Sequence, residues 1–366
     1  MTRLLLYADD PGAVNFLAPL RDYLVNHGYC IRFLVDTSIS DYSKERGVLV
    51  EARKEDETAN TLLCNCNGLV VGTSELPNAF GHILVAEARV LGLPSVGVVD
   101  MEVNSENRFR GGSKNPLRYS PDWLIVADEE TRIAFVGLGF HQKRVFVSGH
   151  PHLDVVRAKR RVLENQDQDW LRKQSFPTAP GDRPIWLFLA EGIDQLRPNE
   201  SFRSEDYTLH GRGDSDFRAC IVIQEILDLR QSIRPLPWVV LRLHPRNKVS
   251  QFAQIKKEVD QICKDGDVLP LLWSADLVLG MTSMALFEAY ILGRPHLSVL
   301  PREVESQWLF SLKQGLTPYV TNSKNLAKRL KGNLQIPESR KLKVPTASLD
   351  NLLDQCDAIF KSDSLF

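Results

Sequence analysis

Short, wholly apolar runs alternate with stretches whose apolar positions repeat every three to four residues, and this alternation continues along most of the chain. Leu4–Ala8 predicts a buried strand, Asp9-Asp10-Pro11-Gly12 a turn, and Phe16, Leu17, Leu20 and Leu24 one face of a helix that Gly28 closes. Ile31–Val35, Leu69–Val71, Ser95–Val99, Trp123–Ala127 and Val145–Val147 read as further strands, with helices over Ile83–Leu91 and Glu129–Val136 between them. Strands apolar on both faces, interleaved with helices, belong to a parallel sheet covered on each side. Residues 157–184 are polar and carry Pro177, Pro180, Gly181 and Pro184, so a linker is expected there. The alternation then restarts. Strands are expected at Ile185–Leu189, Val239–Leu243, Leu277–Leu279 and His296–Leu300. Helices are expected near 217–230 and through Phe252, Ile255, Val259 and Ile262, with a terminal helix over Leu349–Phe360. Segment 194–216, poor in apolar residues, reads as a long functional or mobile loop. The fold class expected is therefore α/β, two doubly wound sheets in tandem facing a cleft, with ligands beyond the carboxyl ends of the strands.

Size and charge narrow this picture. At 366 residues the chain exceeds what one core usually fills, which agrees with two domains. A net charge of −1 gives no basic excess, so no nucleic-acid partner is expected. The run Leu4–Ala8 is too short for a signal-peptide core, and no window approaches the about 18 apolar residues of a membrane span. Six scattered cysteines show no metal-binding spacing, so reduced thiols in a cytoplasmic protein are expected.

Two strand ends carry the clearest chemistry. In Ala275-Asp276-Leu277-Val278-Leu279-Gly280-Met281-Thr282-Ser283 a buried strand stops at Gly280 and a helix begins with Thr282 and Ser283 at its cap. Hydroxyls, free first-turn N–H groups and the positive end of the helix dipole make an anion site there. A helix cap with no ligand is the competing reading. In Val239-Val240-Leu241-Arg242-Leu243-His244-Pro245-Arg246 a strand ends in a histidine that Pro245 keeps extended. His244 can donate to a phosphate oxygen and Arg246 offers a bidentate guanidinium, although a strand-end histidine often only packs.

These stretches resemble the two-domain GT-B glycosyltransferases and the non-hydrolysing UDP-N-acetylglucosamine 2-epimerases. His244-Pro245-Arg246 is similar to the His-Pro motif of bacterial sialyltransferases, capsule Kdo transferases and teichoic-acid polymerases, whose histidine meets the donor phosphate. The stretch from Ala275-Asp276 through Thr282-Ser283 to Glu288-Ala289 and Gly293-Arg294-Pro295 resembles their second donor element, in which the glutamate commonly meets ribose hydroxyls. Ser148-Gly149-His150-Pro151-His152-Leu153-Asp154 resembles the segment that leads out of the first domain. The resemblance implies Rossmann-like domains over 1–175, which binds the acceptor, and 176–345, which binds the nucleotide donor, followed by a helix in 346–366.

The first domain should then supply a base. Asp10, in Asp9-Asp10-Pro11-Gly12, ends the first strand, and Asp100 and Glu102 follow the strand Ser95–Val99. A turn in which Asp10 merely caps the next helix is an equal alternative. The loop with Arg108, Arg110, Lys114 and Arg118 around Gly111-Gly112 reads either as a plain surface loop or as a contact for an anionic or lipid-linked acceptor, which would bring peripheral membrane contact. Gly12, Glu102 and Arg110 are the acceptor-loop candidates. Glu129 matches in place a functional glutamate of the epimerases, although an acid there also suits a helix start.

Departures from the epimerases favour transfer over isomerisation. Their Gly-Asp-Thr is replaced by Gly72-Thr73-Ser74, and their His-Arg pair by Ala190-Glu191-Gly192-Ile193. The function implied is a metal-independent, cofactor-free glycosyltransferase. It would move sugar from a CMP-, CDP- or UDP-linked donor to a hydroxyl of a sugar, lipid-linked or small-molecule acceptor in surface polysaccharide or glycoconjugate synthesis. A sugar-nucleotide 2-epimerase or hydrolase, or an inactive nucleotide-sugar binder, is the alternative.

Overall fold

The computed structural model describes residues 1–193, 198–332 and 349–361. The chain divides into two compact units, Met1–Val155 with the C-terminal helix, and the stretch from Val156 onward.

The first unit is built on seven parallel strands: β1 (Arg3–Ala8), β2 (Cys30–Val35), β3 (Glu51–Ala52), β4 (Gly68–Gly72), β5 (Ser95–Val99), β6 (Trp123–Val126) and β7 (Val145–Val147). They lie side by side in the order β3-β2-β1-β4-β5-β6-β7. The two-residue period of a strand sorts its side chains between the faces. Leu4, Leu6 and Ala8 pack with Phe16, Leu17, Leu20 and Leu24 of the helix Pro11–Asn26, and with Leu352, Cys356 and Ile359 of the helix Leu349–Phe360. Leu5 and Tyr7 face Leu69, Val71, Leu84, Val85 and Ala88 on the opposite side. Each fully buried aliphatic side chain contributes about 1.5–3 kcal/mol, so both layers are needed to hold the sheet. The C-terminal helix sits tightly: a Cβ on Gly68 would lie 2.3 Å from Phe360 Cε1.

In the second unit the parallel strands are β8 (Ile185–Leu189), β9 (Trp238–Arg242), β10 (Gln261–Cys263), β11 (Leu277–Gly280), β12 (His296–Val299) and β13 (Tyr319–Val320). Their order is β10-β9-β8-β11-β12-β13. Both sheets thus start at a central strand, build outward on one side, then return to build on the other. The reversal falls between β1 and β4 in the first unit and between β8 and β11 in the second. Loops leaving the strands on either side of a reversal diverge and leave room for a ligand.

Three expectations need correction. Most of 157–184 is not a linker but helix, Pro151–Glu164 and Gln168–Ser175. The few buried aliphatic side chains of these helices, Leu153, Val156, Leu163 and Leu171, are supplemented by long polar side chains that reach main-chain acceptors. Arg160 donates to the Ile291 carbonyl at 3.1 Å, and Arg172 to the Arg183 carbonyl at 2.8 Å and to Asp276 at 2.9 Å. The helix expected through Ile262 is a short 3₁₀ turn, Val249–Phe252, followed by turns and then β10. Phe252, Ile255 and Val259 are buried from those turns, which mimics helical spacing, while Ile262 pairs with Leu241. The loop 194–216 lies partly outside the described residues. From Pro198 on it is tied down by Arg203 to Asp216 and the His210 carbonyl, and by Thr208 to the Pro301 carbonyl. The edge strands β3 and β13, two residues each, carry no apolar run to announce them.

Candidate functional site

At the reversal of the first sheet, Asp9 and Asp10 leave β1 and diverge. Asp10 is extended (φ −142°, ψ 164°) and caps the helix Pro11–Asn26 by accepting from the Ala13 N–H at 2.8 Å. Asp9 turns inward and accepts from the Gly81 N–H, in the first turn of the helix Phe80–Val90, at 3.2 Å. Burial, reinforced by the charge of Asp10, pushes the Asp9 carboxyl up to about 7. The Tyr7 hydroxyl stands near it without hydrogen-bond geometry, and burial lifts that phenol well above its ordinary value.

Gly12 brings the two sequence-predicted acids together. A Cβ there would fall 2.3 Å from Asp100 Oδ2 and 3.3 Å from Asp10 Oδ1, so only glycine lets the helix start press against both carboxylates. Asp100 is paired with Arg108, whose Nη1 lies 3.3 Å from Asp100 Oδ1 and 3.2 Å from Thr73 Oγ1. Arg108 also donates to the Val103 carbonyl at 3.2 Å, and its Nε lies 3.8 Å from Glu75. Burial opposes this guanidinium's charge, but Asp100, Glu75, Asp10 and Glu106 together outweigh it and raise its pKa. Arg108 is thus turned inward among acids. Arg110, Lys114 and Arg118 are exposed, and Glu102 is half-buried with its carbonyl accepting from the Ser105 N–H. Glu129 is an exposed neighbour of Arg132, and Asp128 is the residue that caps that helix.

The reversal of the second sheet is organised by a residue that was not among the candidates. Glu191, two positions beyond β8, accepts from the Thr282 N–H, from Thr282 Oγ1 at 3.0 Å and from Arg218 Nη1 at 3.0 Å. The donors expected to face a phosphate are therefore held by the protein's own carboxylate. Arg218 continues the network to Glu305 at 2.5 Å, which is 0% exposed, and Arg302 reaches Glu305 at 2.8 Å. Both guanidinium groups lie over the Trp308 ring, at 5.3 and 5.1 Å.

The same strand tip touches His244. A Cβ on Gly192 would come 2.9 Å from His244 Nδ1, and the Glu191 carbonyl accepts from Asn247 Nδ2 at 3.3 Å. His244 Nδ1 accepts from the Arg246 N–H at 3.1 Å, which leaves the proton of the neutral ring on Nε2. Burial, with the charges of Arg246 and Lys264, drops the imidazole to about 4, so it is a neutral donor over the whole physiological range. Ser283 caps the helix Met284–Ile291, accepting from the Ala285 N–H at 3.2 Å. Arg246 is exposed beside His244, and Glu288 is buried within that helix.

The structure thus gathers Asp10, Gly12 and Asp100 at one reversal, and His244, Thr282 and Ser283 at the other through Glu191-Gly192. Glu191 had a legible signal, since it follows a buried strand as Asp10 and His244 do. Arg218, Arg302 and Glu305 had none.

No protein-family model matches the chain, and no curated protein does. Solved structures do. The UDP-GlcNAc 2-epimerase of Methanocaldococcus jannaschii superposes with a TM-score of 0.67 at 15% identity, over 98% of this chain and 100% of that one. The enzyme of Neisseria meningitidis bound to UDP-GlcNAc gives 0.65 at 13%, over 97% and 99%. The S. aureus MnaA–UDP co-structure gives 0.67 at 12%, over 98% and 96%. At such identities the likeness is one of fold. With two Rossmann-like parallel sheets and a terminal helix, this chain is a protein of the GT-B fold.

Proposed function

We propose that this protein acts on a nucleotide sugar and breaks the bond between the anomeric carbon and the phosphate oxygen. The second unit would hold the phosphates, and a carboxylate of the first unit would move the proton. The observation that carries this reading is the cluster at the end of β8, where Glu191-Gly192 joins the neutral donor His244 to the helix start at Thr282 and Ser283. A neutral Nε2–H and the donors of a helix start stabilise the charge of a departing phosphate.

Two finer readings divide the chemistry. Likeness along nearly the whole of both chains to UDP-GlcNAc 2-epimerases favours isomerisation at C2. There a base takes the C2 proton, the nucleotide diphosphate leaves from C1, and re-addition with a proton on the other face of C2 restores the saturated sugar. Transfer to a hydroxyl acceptor is favoured by Thr73 and Glu191. Thr73, in the Gly72-Thr73-Ser74 that replaces the epimerases' Gly-Asp-Thr, is bonded to Arg108; Ala190-Glu191-Gly192-Ile193 replaces their His-Arg pair, and its Glu191 holds Thr282. Transfer needs only one base, to take the acceptor proton as the nucleotide leaves. Among the described residues no helix is long and apolar enough to cross a membrane. We place the protein in the cytoplasm, with any lipid-linked acceptor met at the membrane surface.

The test is incubation with UDP-, GDP-, CDP- and CMP-sugars in D2O, followed by NMR and nucleotide analysis. Deuterium at C2 establishes isomerisation. Released nucleotide with the sugar on an added acceptor establishes transfer. Absence of both turnover and binding across the panel overturns the proposal.

A further inference from the structure

The anion site at the start of the helix Met284–Ile291 is already filled from within. Glu191 takes both the N–H and the hydroxyl of Thr282, the donors that a phosphate oxygen would use. A second observation marks this point as built for an anion. Arg218 is 7% exposed, places Nη1 3.0 Å from Glu191 and Nη2 3.4 Å from Thr282 Oγ1, and its Nε has no hydrogen-bond partner among the described residues. Glu305 also accepts from Arg218. The four charges Glu191, Arg218, Glu305 and Arg302 balance, so a phosphate added while Glu191 stays in place would be uncompensated and beside a like charge. With Glu191 moved away, the phosphate inherits its donors and its arginine.

We propose that Glu191 is an internal competitor of the nucleotide phosphate: nucleotide binds by displacing this carboxylate from Thr282, and Arg218 stays behind to receive the incoming charge. This rests on the nucleotide reading above and assigns the specificity residue of that same site. Glu191 sets how much negative charge the helix start accepts, and it makes affinity depend on how readily one side chain swings off two hydrogen bonds and an ion pair.

The experiment is calorimetric titration of UDP, CDP, CMP and inorganic pyrophosphate into the wild type, Glu191→Ala and Glu191→Gln. Glu191→Gln keeps the side-chain volume and an acceptor for the Thr282 N–H, which guards against misfolding of the alanine variant; circular dichroism checks both. Kd for UDP should fall at least tenfold in Glu191→Ala and by a smaller factor in Glu191→Gln, with pyrophosphate following UDP. If the wild type binds a nucleotide and neither variant binds it more tightly, the competitor role is overturned and the nucleotide reading stands. If neither wild type nor variants bind any of the ligands, both are overturned.

Discussion

The two sheet reversals occupy equivalent places in two sheets of the same winding, yet their polarity is opposite. In the first unit one buried cation, Arg108, is ringed by carboxylates from three strand ends, Asp10, Glu75 and Asp100. In the second, one carboxylate, Glu191, is ringed by donors from a helix start and a buried arginine. The fold supplies the location, and a handful of loop residues decide whether it presents acceptors or donors. A site with acceptors suits proton transfer, and one with donors suits the phosphate.

Removing the central arginine should break the comparison most severely, and unequally. Arg218→Met would leave Glu305, whose side chain is 0% exposed, with Arg302 as its remaining cation, and Glu191, at 16%, with only the donors of Thr282. Losing one partner of such a buried pair costs about 3–5 kcal/mol. Arg108→Met leaves Asp100 and Glu75 at 12% and 22%, where solvent screens part of the loss. Urea denaturation should therefore show the larger midpoint shift for Arg218→Met. Equal shifts would mean the two rings are energetically alike.

Acid and base should sharpen it next. Asp9 has its carboxyl raised from 3.8 to about 7, so the folded state binds the proton more tightly than the unfolded chain. Its contribution is full below the ordinary carboxylate range and is lost as pH rises through about 7, a span worth at most about 4 kcal/mol. His244, lowered from 6.5 to about 4, behaves oppositely: the folded state binds fewer protons, so stability is lost as pH falls through that window. Asp9→Asn should remove a fall in stability as pH rises from about 4 to about 7, and His244→Gln the opposing loss as pH falls from 6.5 to about 4. Melting temperatures across that range test both, and a profile between about pH 4 and 7 unchanged in Asp9→Asn would remove Asp9 as a contributor.

What the amino-acid sequence disclosed follows a physical division. Runs such as Leu4–Ala8 and Ile185–Leu189 announced their strands because both faces are buried, and the winding followed from the alternation. Asp10, Asp100, His244 and Thr282 were legible because they follow such runs. The helices over 151–175 were hidden because Arg160 and Arg172 bind main-chain carbonyls where apolar contacts were sought. Pairings across long stretches of chain, Arg218 with Glu305 and Arg108 with Asp100, leave no local trace. Arg108 was read with its basic neighbours, yet its surroundings are acidic.

A methyl group at either close approach discriminates more gently. Gly12→Ala would drive a Cβ to 2.3 Å from Asp100, and Gly192→Ala one to 2.9 Å from His244. Crowding of this kind costs about 1–3 kcal/mol, the former at the upper end. Gly12→Ala should depress turnover with little change in nucleotide Kd, whereas Gly192→Ala should weaken nucleotide binding. A reversed pattern would exchange the roles assigned to the two reversals.

The smallest stability effect separates structure from chemistry. Asp10 and Ser283 each cap a helix, so alanine at either costs about 1 kcal/mol. Asp10→Asn keeps a side-chain oxygen for the Ala13 N–H, and its stability should stay within about 0.5 kcal/mol of wild type. If Asp10 is also the base, that same variant loses turnover by about 100-fold or more, because an amide accepts no proton near neutral pH. Asp100→Asn supplies the contrast, since it also loosens Arg108. Turnover lost in Asp100→Asn but kept in Asp10→Asn makes Asp100 the base and Asp10 only a cap. Turnover kept in both means the acidic ring serves Arg108 alone. Ser283→Ala, by comparison, should weaken nucleotide binding several-fold at unchanged kcat if the second reversal holds the phosphate as proposed, because its hydroxyl caps that helix start.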